Sequence, residues 1–134
     1  EKKEKEEKAK ENKSLLDSMK SALEGKVTDV RISSRLKSHP VCLVSDENGV
    51  SMEMEKVLSQ NPMNNDIKAN KILEINPDHE IFNTLKKVYE TDASSVDDYA
   101  DVLYNQALLI EGLPIENPVD YANKVCELMI KANR

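Results

Sequence analysis

The stretch Ile72-Leu73-Glu74-Ile75-Asn76-Pro77-Asp78-His79 predicts a strand that leads directly into a helix. Its first four residues form a short apolar run typical of a buried strand. Asn76 fits the N-cap position, where its side chain would accept a backbone N–H. Pro77 fits the first helical position, because the N–H that proline lacks would be unpaired there. Asp78 would place negative charge beside the positive end of the helix dipole, so we expect the helix to begin here.

The spacing of apolar residues on either side of this stretch predicts two more strands and four more helices. Alternation predicts a half-buried strand over 28–32, and a continuous apolar run predicts an interior strand over 41–44. Helical spacing predicts helices over 15–23, 50–59, 95–111 and from 117 onward. We therefore expect an α+β fold, with a small three-stranded sheet packed with about five helices.

The length of 134 residues suits a single domain, residues 1–134. Residues 1–13 are almost all Lys and Glu, which is typical of an exposed helix or a frayed, charged lead-in. We expect residues 14–94 to form the α+β core. Residues 95–134 would form the helices of a dimer interface.

The composition argues against several classes of partner. A net charge of −6 disfavours nucleic acid, which attracts a basic face. No run approaches the roughly 18 apolar residues of a membrane span, and no signal-like segment opens the chain. Cys42 and Cys126 are far apart and each lies in an apolar segment, so we interpret them as reduced core residues. Together these features predict a cytoplasmic protein.

No arrangement of residues indicates catalysis or metal binding. The three glycines stand alone at predicted element ends, so no phosphate-binding loop is present. His39 and His79 have no neighbours at the spacing of metal ligands. We therefore predict no catalytic residues and no metal site.

The last two predicted helices carry more apolar surface than one face can bury. The second half of the helix over 95–111 and the helix from 117 onward are apolar nearly all round, so they must be covered on every side. A twofold partner contributing the same pair would form a four-helix bundle across a C2 dimer. The alternative is that the sheet alone covers these faces. The predicted interface residues are Leu103, Ala107, Leu108, Ile110, Val125, Leu128 and Met129.

The helix predicted over 50–59 carries an apolar stripe formed by Val50, Met54, Val57 and Leu58. Glu53, Glu55 and Lys56 would lie on its other side. One interpretation is that the stripe packs on the sheet. The other is that the stripe is a binding surface, because methionine is flexible and suits surfaces that meet many partners.

The segment Leu73-Glu74-Ile75-Asn76-Pro77-Asp78-His79 resembles a heptapeptide in the C-terminal domain of the heat-shock protein 90 chaperones. Residues 27–36, 40–44, 105–112 and 116–118 are similar to further segments of that family, in the same order. The resemblance covers roughly residues 15–132, and it is nearest to the bacterial high-temperature protein G type. It implies the C-terminal homodimerisation domain of an ATP-dependent chaperone that acts in protein folding and the stress response.

The same resemblance implies partners and roles. The family binds ATP and Mg in an N-terminal domain, so no cofactor and no enzymatic activity are expected in this chain. Its helix corresponding to 50–59 presents apolar residues to unfolded client proteins, which implies client-binding roles for Val50, Met54, Val57 and Leu58. The alternative is a monomeric α+β adaptor module that binds a partner peptide along this helix.

Overall fold

The computed structural model describes residues 12–33, 38–46, 49–60 and 70–133, together with Glu7, Lys10 and Met63. Most of the predicted lead-in over 1–13 lies outside these residues. Within the described part, the helices are α1 Lys13–Ala22, α2 Met52–Ser59, α3 Glu80–Thr91, α4 Val96–Glu111 and α5 Pro118–Ala132, and the strands are β1 Asp29–Ile32, β2 Val41–Ser45 and β3 Lys71–Ile75. A short 3-10 turn, Ala93–Ser95, joins α3 to α4. The predicted α+β fold is confirmed.

The strand predicted from the opening stretch is the centre of the sheet. The order is β1-β3-β2, with β1 parallel and β2 antiparallel to β3. All five residues of β3 are buried, as expected for a central strand with a near-continuous apolar run. Ser45 pairs with Lys71 at one end of the antiparallel ladder, and Val41 pairs with Ile75 at the other.

The helix after β3 begins later than the sequence predicts. Its first residue is Glu80, and His79 is the N-cap, with Nδ1 accepting the Ile81 N–H at 3.1 Å. Asn76 instead closes a turn, because its Oδ1 accepts the Asp78 N–H at 3.0 Å. The prediction of Asn76 as N-cap and Pro77 as the first helical residue is therefore wrong.

The core lies on one face of the sheet, between the sheet and helices α1, α3 and α4. Met19 of α1 and Leu23, which directly follows α1, are part of this core, as are Phe82 and Leu85 of α3. Helix α4 contacts both β2 and α1, and its residues from Val96 to Leu108 are buried except for those on its outer side. The core thus includes a helix beyond the predicted core region 14–94.

Helix α4 ends at Glu111, and its C-cap Gly112 has a φ of +78°. This left-handed conformation is accessible to glycine without the steric cost that a Cβ would add. The Leu113 N–H then donates to the Leu108 carbonyl at 2.9 Å, the bond pattern that closes many helices before a change of direction. The chain can therefore turn sharply and lay α5 along α4.

Candidate interaction surfaces

Helix α5 lies on the outside of the molecule. None of its residues is buried, although Val119, Met129 and Ile130 are large apolar side chains. Leu109 and Ile110, at the end of α4, are also exposed. Covering this much exposed apolar surface with another surface would lower the free energy of the protein. None of the described helices has the length and apolar character that crossing a bilayer requires.

The seven predicted interface residues fall into two groups. Leu103, Ala107 and Leu108 are buried in the core of their own chain, so they need no partner to cover them. Ile110 is 50% exposed and Met129 is 65% exposed. Val125 and Leu128 are half-buried. The outer group therefore defines the apolar surface that this chain leaves open.

An apolar groove of about 460 Å³ runs between α5 and the rest of the molecule. One wall consists of α5 side chains, including Leu128 and Met129, and the other includes Tyr99 and Val102 of α4. Ile81 and Pro40 also line the groove. The groove is continuous with the exposed side chains of α5, so a single partner element could cover both.

A buried carboxylate fastens α5 to the core. Asp101 of α4 accepts from Lys26 Nζ at 2.8 Å and from Lys124 Nζ of α5 at 2.9 Å. Burial alone would raise the pKa of Asp101, but the hydrogen bonds and charges of the two lysines outweigh it and hold that pKa below its usual value. The hydrogen bond to Asp101 raises the pKa of Lys124. Near neutral pH the three groups therefore form a charged network.

Tyr104 lies beside this network and is buried. Its ring is 5.9 Å from Lys26 Nζ. Burial, and then the negative charges of Glu116, Glu55 and Asp101, raise its pKa to about 12. The phenol stays protonated near neutral pH, so it is not poised to exchange a proton. Among the described residues, no group of three or more His, Cys, Asp or Glu side chains could hold a metal ion.

The second open surface is on α2, and the helix bounds differ from the prediction. Helix α2 begins at Met52, because Ser51 is the N-cap and its hydroxyl accepts the Met54 N–H at 3.2 Å. Val50, predicted as part of this helix, precedes it and is half-buried. Met54 is 50% exposed and Val57 is 62% exposed, whereas Leu58 is half-buried. Two of the four residues of the predicted stripe, Met54 and Val57, are therefore exposed.

The side of α2 that faces the core carries a charge. Glu55, predicted to lie on the side opposite the apolar stripe, does so and is buried together with Met52. Its Oε1 accepts from Lys71 Nζ at 2.8 Å, and the side chains of both ion-pair partners are almost completely buried. Because Met54 and Val57 face away from the core, the side of α2 that carries Glu55 faces the sheet, where its charge meets a lysine.

Neither cysteine forms a disulfide. Cys42 is half-buried on β2, where its thiol lies 3.9 Å from Glu74 Oε1. Cys126 is exposed on α5, so its predicted place in the core is wrong. The apolar residues around Cys126 suggested burial, but α5 as a whole is exposed.

A family model described as Hsp90 protein matches residues 1–133. This chain belongs to the Hsp90 family. It is 60% identical over 119 residues to Chaperone protein HtpG of Clostridium acetobutylicum, which is 89% of this chain and 19% of that protein. It is 53% identical over 130 residues to Chaperone protein HtpG of Shouchella clausii, which is 97% of this chain and 21% of that protein. The chain therefore spans about a fifth of the length of these Hsp90 relatives.

Sequence reasoning missed two polar features of this Hsp90-family chain. The first is the network of Asp101 with Lys26 and Lys124, and the second is the buried pair of Glu55 with Lys71. Lys71 gave a weak signal, since it directly precedes an apolar run in the central strand. Asp101 gave another, since it interrupts the apolar part of a long helix. Neither signal identifies the partner.

Proposed function

We propose that this chain is the part of an Hsp90-family chaperone that holds two copies together through α4 and α5. The observation that carries the proposal is the exposure of apolar side chains along α5, a helix with no buried residue. An isologous contact would cover the α5 surface of each copy with that of the other. It would also bring apolar side chains to the groove beside Leu128 and Met129.

Within this interface, Ile110, Val125, Leu128 and Met129 are the residues we expect to touch the partner copy. If the contact buries ~1,000 Å² of apolar surface, the gross hydrophobic gain is on the order of 25 kcal/mol. Lost translational and rotational freedom and side-chain ordering offset a large part of that gain. The difference is enough to support a stable dimer.

Light scattering on a Leu128→Asp, Met129→Asp variant tests the dimer. The expected result is a shift from the dimer mass to the monomer mass, because each copy would bury two unpaired carboxylates. The matched control is Val57→Asp on α2, an apolar position that is 62% exposed against 65% for Met129, and it should keep the dimer mass. A wild-type chain of monomer mass would favour the adaptor module instead. A dimer mass in the double variant would remove these residues from the contact.

We also propose that α2 binds unfolded client protein through Met54 and Val57, with Leu58 at the edge of the surface. Their exposure beside a flexible methionine supports this role. Val50 lies before the helix, so its contribution would be peripheral. A Met54→Ser, Val57→Ser variant should lose most of its ability to suppress aggregation of a denatured test protein. Glu53→Ser in the same helix is the control. Full protection by the double variant would refute the proposal.

For the whole chaperone, we propose that ATP and Mg bind to a part of the protein outside this chain, which is also the site of ATPase activity. The contact through α4 and α5 would then keep two nucleotide-binding parts at a high effective concentration, so that their association becomes intramolecular. The relatives come from bacteria, and we propose the cytoplasm as the compartment.

A further inference from the structure

A polar cleft of about 470 Å³ is lined by residues 24–28, Asn70, Lys71, Tyr104 and Glu116. Its volume lies within the roughly 300–1,000 Å³ that is typical of small-molecule sites. The apolar groove beside α5 shares none of these lining residues, so the cleft is separate from the proposed dimer surface. We propose that this cleft binds an alkylammonium group, a primary ammonium on a hydrocarbon chain, as carried by a small diamine or by a lysine side chain.

The hydroxyl of Tyr104 is available to a ligand in this cleft. Tyr104 is only 8% exposed, and its side chain makes no hydrogen bond with any described residue. None of the fully enclosed side-chain nitrogen or oxygen atoms in the described part of the chain lacks a partner. The Tyr104 hydroxyl is therefore not fully enclosed, and the residue lines this cleft. A ligand that donates a hydrogen bond could satisfy the phenol oxygen.

The two lysines that line the cleft already have acidic neighbours. Lys26 Nζ lies 2.8 Å from an oxygen of Asp101. Lys71 Nζ lies 2.8 Å from an oxygen of Glu55. Because each positive charge is balanced at short range, the lysines do not make the cleft a site for anions.

The two carboxylates that line the cleft have no such partner. Glu24 and Glu116 form no ion pair with any described residue. Burial raises the pKa of Tyr104 to about 12, and the negative charges of Glu116, Glu55 and Asp101 raise it further in that order of size. These charges make the surroundings of the phenol oxygen negative. A cation is therefore attracted to this place, and an anion is repelled.

An organic ammonium fits these groups better than a metal ion does. No group of three or more His, Cys, Asp or Glu side chains among the described residues could hold a metal. An ammonium group has three N–H donors, which can be shared between the carboxylate of Glu116 and the phenol oxygen of Tyr104. The side chain of Val27 offers an apolar contact, and no described atom lies within 4 Å of the place where a Cβ on Gly25 would be. The cleft therefore has room for a hydrocarbon chain.

Nuclear magnetic resonance titration with putrescine, a four-carbon diamine, tests the proposal at pH 7. The backbone amides of residues 24–28 and Glu116 should shift and reach saturation. Tyr104→Phe removes only the hydroxyl and should raise the Kd about fivefold, as the loss of one hydrogen bond does. Glu116→Gln should raise it about threefold, because this carboxylate is exposed to solvent.

Two variants on α3, outside the cleft, are the matched controls. Tyr89→Phe removes a hydroxyl from another tyrosine, and Glu90→Gln removes one negative charge from an exposed position. The second control accounts for the general attraction of a cation to a chain with a net charge of −6. Both should keep the wild-type Kd. The proposal is overturned if no saturable shifts occur at the cleft, or if Tyr104→Phe and Glu116→Gln bind putrescine as tightly as the controls do.

A second probe, the amide of Nα-acetyl-lysine, distinguishes the two sources of the ammonium group. Tighter binding of putrescine that is reduced by Glu24→Gln supports a small diamine whose ends meet both carboxylates. Equal binding of the two probes, each weakened by Tyr104→Phe, supports a lysine side chain of a partner protein. Failure of both probes to bind overturns the alkylammonium site.

Discussion

Asp101 joins three segments of the chain through one carboxylate. One oxygen accepts from Lys26, which follows α1, and the other accepts from Lys124 on α5. Asn105, one turn further along α4, donates to the Asp101 carbonyl at 2.8 Å. The network therefore ties α5 to α4 and to the segment after α1.

Asp101→Asn should lower the free energy of unfolding by about 2 kcal/mol at pH 7. The amide removes the counter-charge of Lys26 and the nearer of the two carboxylates beside Lys124, a loss that is limited because both lysines are partly exposed to solvent. Urea unfolding measures the change. Asp120→Asn is the control, since Asp120 is exposed and lies 3.3 Å from the same Lys124. Equal losses in the two variants would contradict a special role for the buried carboxylate.

The stability difference between wild type and Asp101→Asn should depend on pH. The folded-state pKa of Asp101 is lowered, so its stabilisation is present above the unfolded pKa of about 3.9 and is lost as the pH falls through the folded value. The raised pKa of Lys124 has the opposite effect, since its stabilisation is lost as the pH rises above about 10.4. Urea unfolding at pH 7 and at pH values below 4 should show the difference shrinking in acid. A constant difference would contradict it.

For individual residues, the sequence predicts few of the contacts that the side chains make. The type of residue at 55 or 101 is visible, but its partner lies 16 or 75 positions away, and pairing depends on how the elements are packed. Glu55 was predicted only to lie opposite the apolar stripe, and its burial was not predicted, because a glutamate in an amphipathic helix ordinarily faces water. The lysine that makes its burial possible could be found only from the fold.

Two similar Asn-Pro segments lead to different helix starts. At Asn117 the side chain accepts the Asp120 N–H at 3.0 Å and Pro118 is the first helical residue, as the sequence predicts. Asn76 is buried, and its amide donates to the His39 carbonyl at 3.1 Å, which ties it to the segment before β2. That long-range bond accompanies a turn, and the helix begins at Glu80, three residues after the predicted start at Pro77.

Asn117→Ala should lower the free energy of unfolding by about 1 kcal/mol, because the first turn of α5 loses its N-cap. Circular dichroism during urea unfolding measures the loss. Asn123→Ala, an exposed position inside the same helix, is the control and should be neutral or slightly stabilising, since alanine is the better helix former. A neutral result at Asn117 would show that α5 does not depend on its cap.

Helix α4 belongs to the core over most of its length, which its all-round apolar pattern did not predict. The pattern identified a helix that must be covered on every side, and the sheet, α1 and α3 provide most of that cover. Leu108→Ala should therefore cost about 3 kcal/mol in a urea unfolding experiment, as is typical of a buried leucine. Leu109→Ala, an exposed neighbour, should cost less than about 1 kcal/mol. Similar losses would place both side chains in comparable surroundings.

The architecture of the whole molecule was predictable because each local pattern of apolar residues indicates the same fold. An apolar run gave the central strand, alternation gave β1, and helical spacing gave five helices, so the α+β fold followed. The outward direction of α2 and the inward position of Leu103 and Leu108 were not predictable, because periodicity gives the apolar side of a helix and leaves open what covers it.

The apparent stability of the whole molecule should depend on its concentration. If two copies associate through α5, folding is coupled to assembly, so the midpoint of thermal unfolding should rise with protein concentration by mass action. Scanning calorimetry over a hundredfold range of concentration measures this. Met129→Asp should remove the dependence, because it places a charge among the exposed apolar residues of α5, whereas Val57→Asp should preserve it. A midpoint independent of concentration in the wild-type chain would mean that the α5 surface is not covered by a second copy.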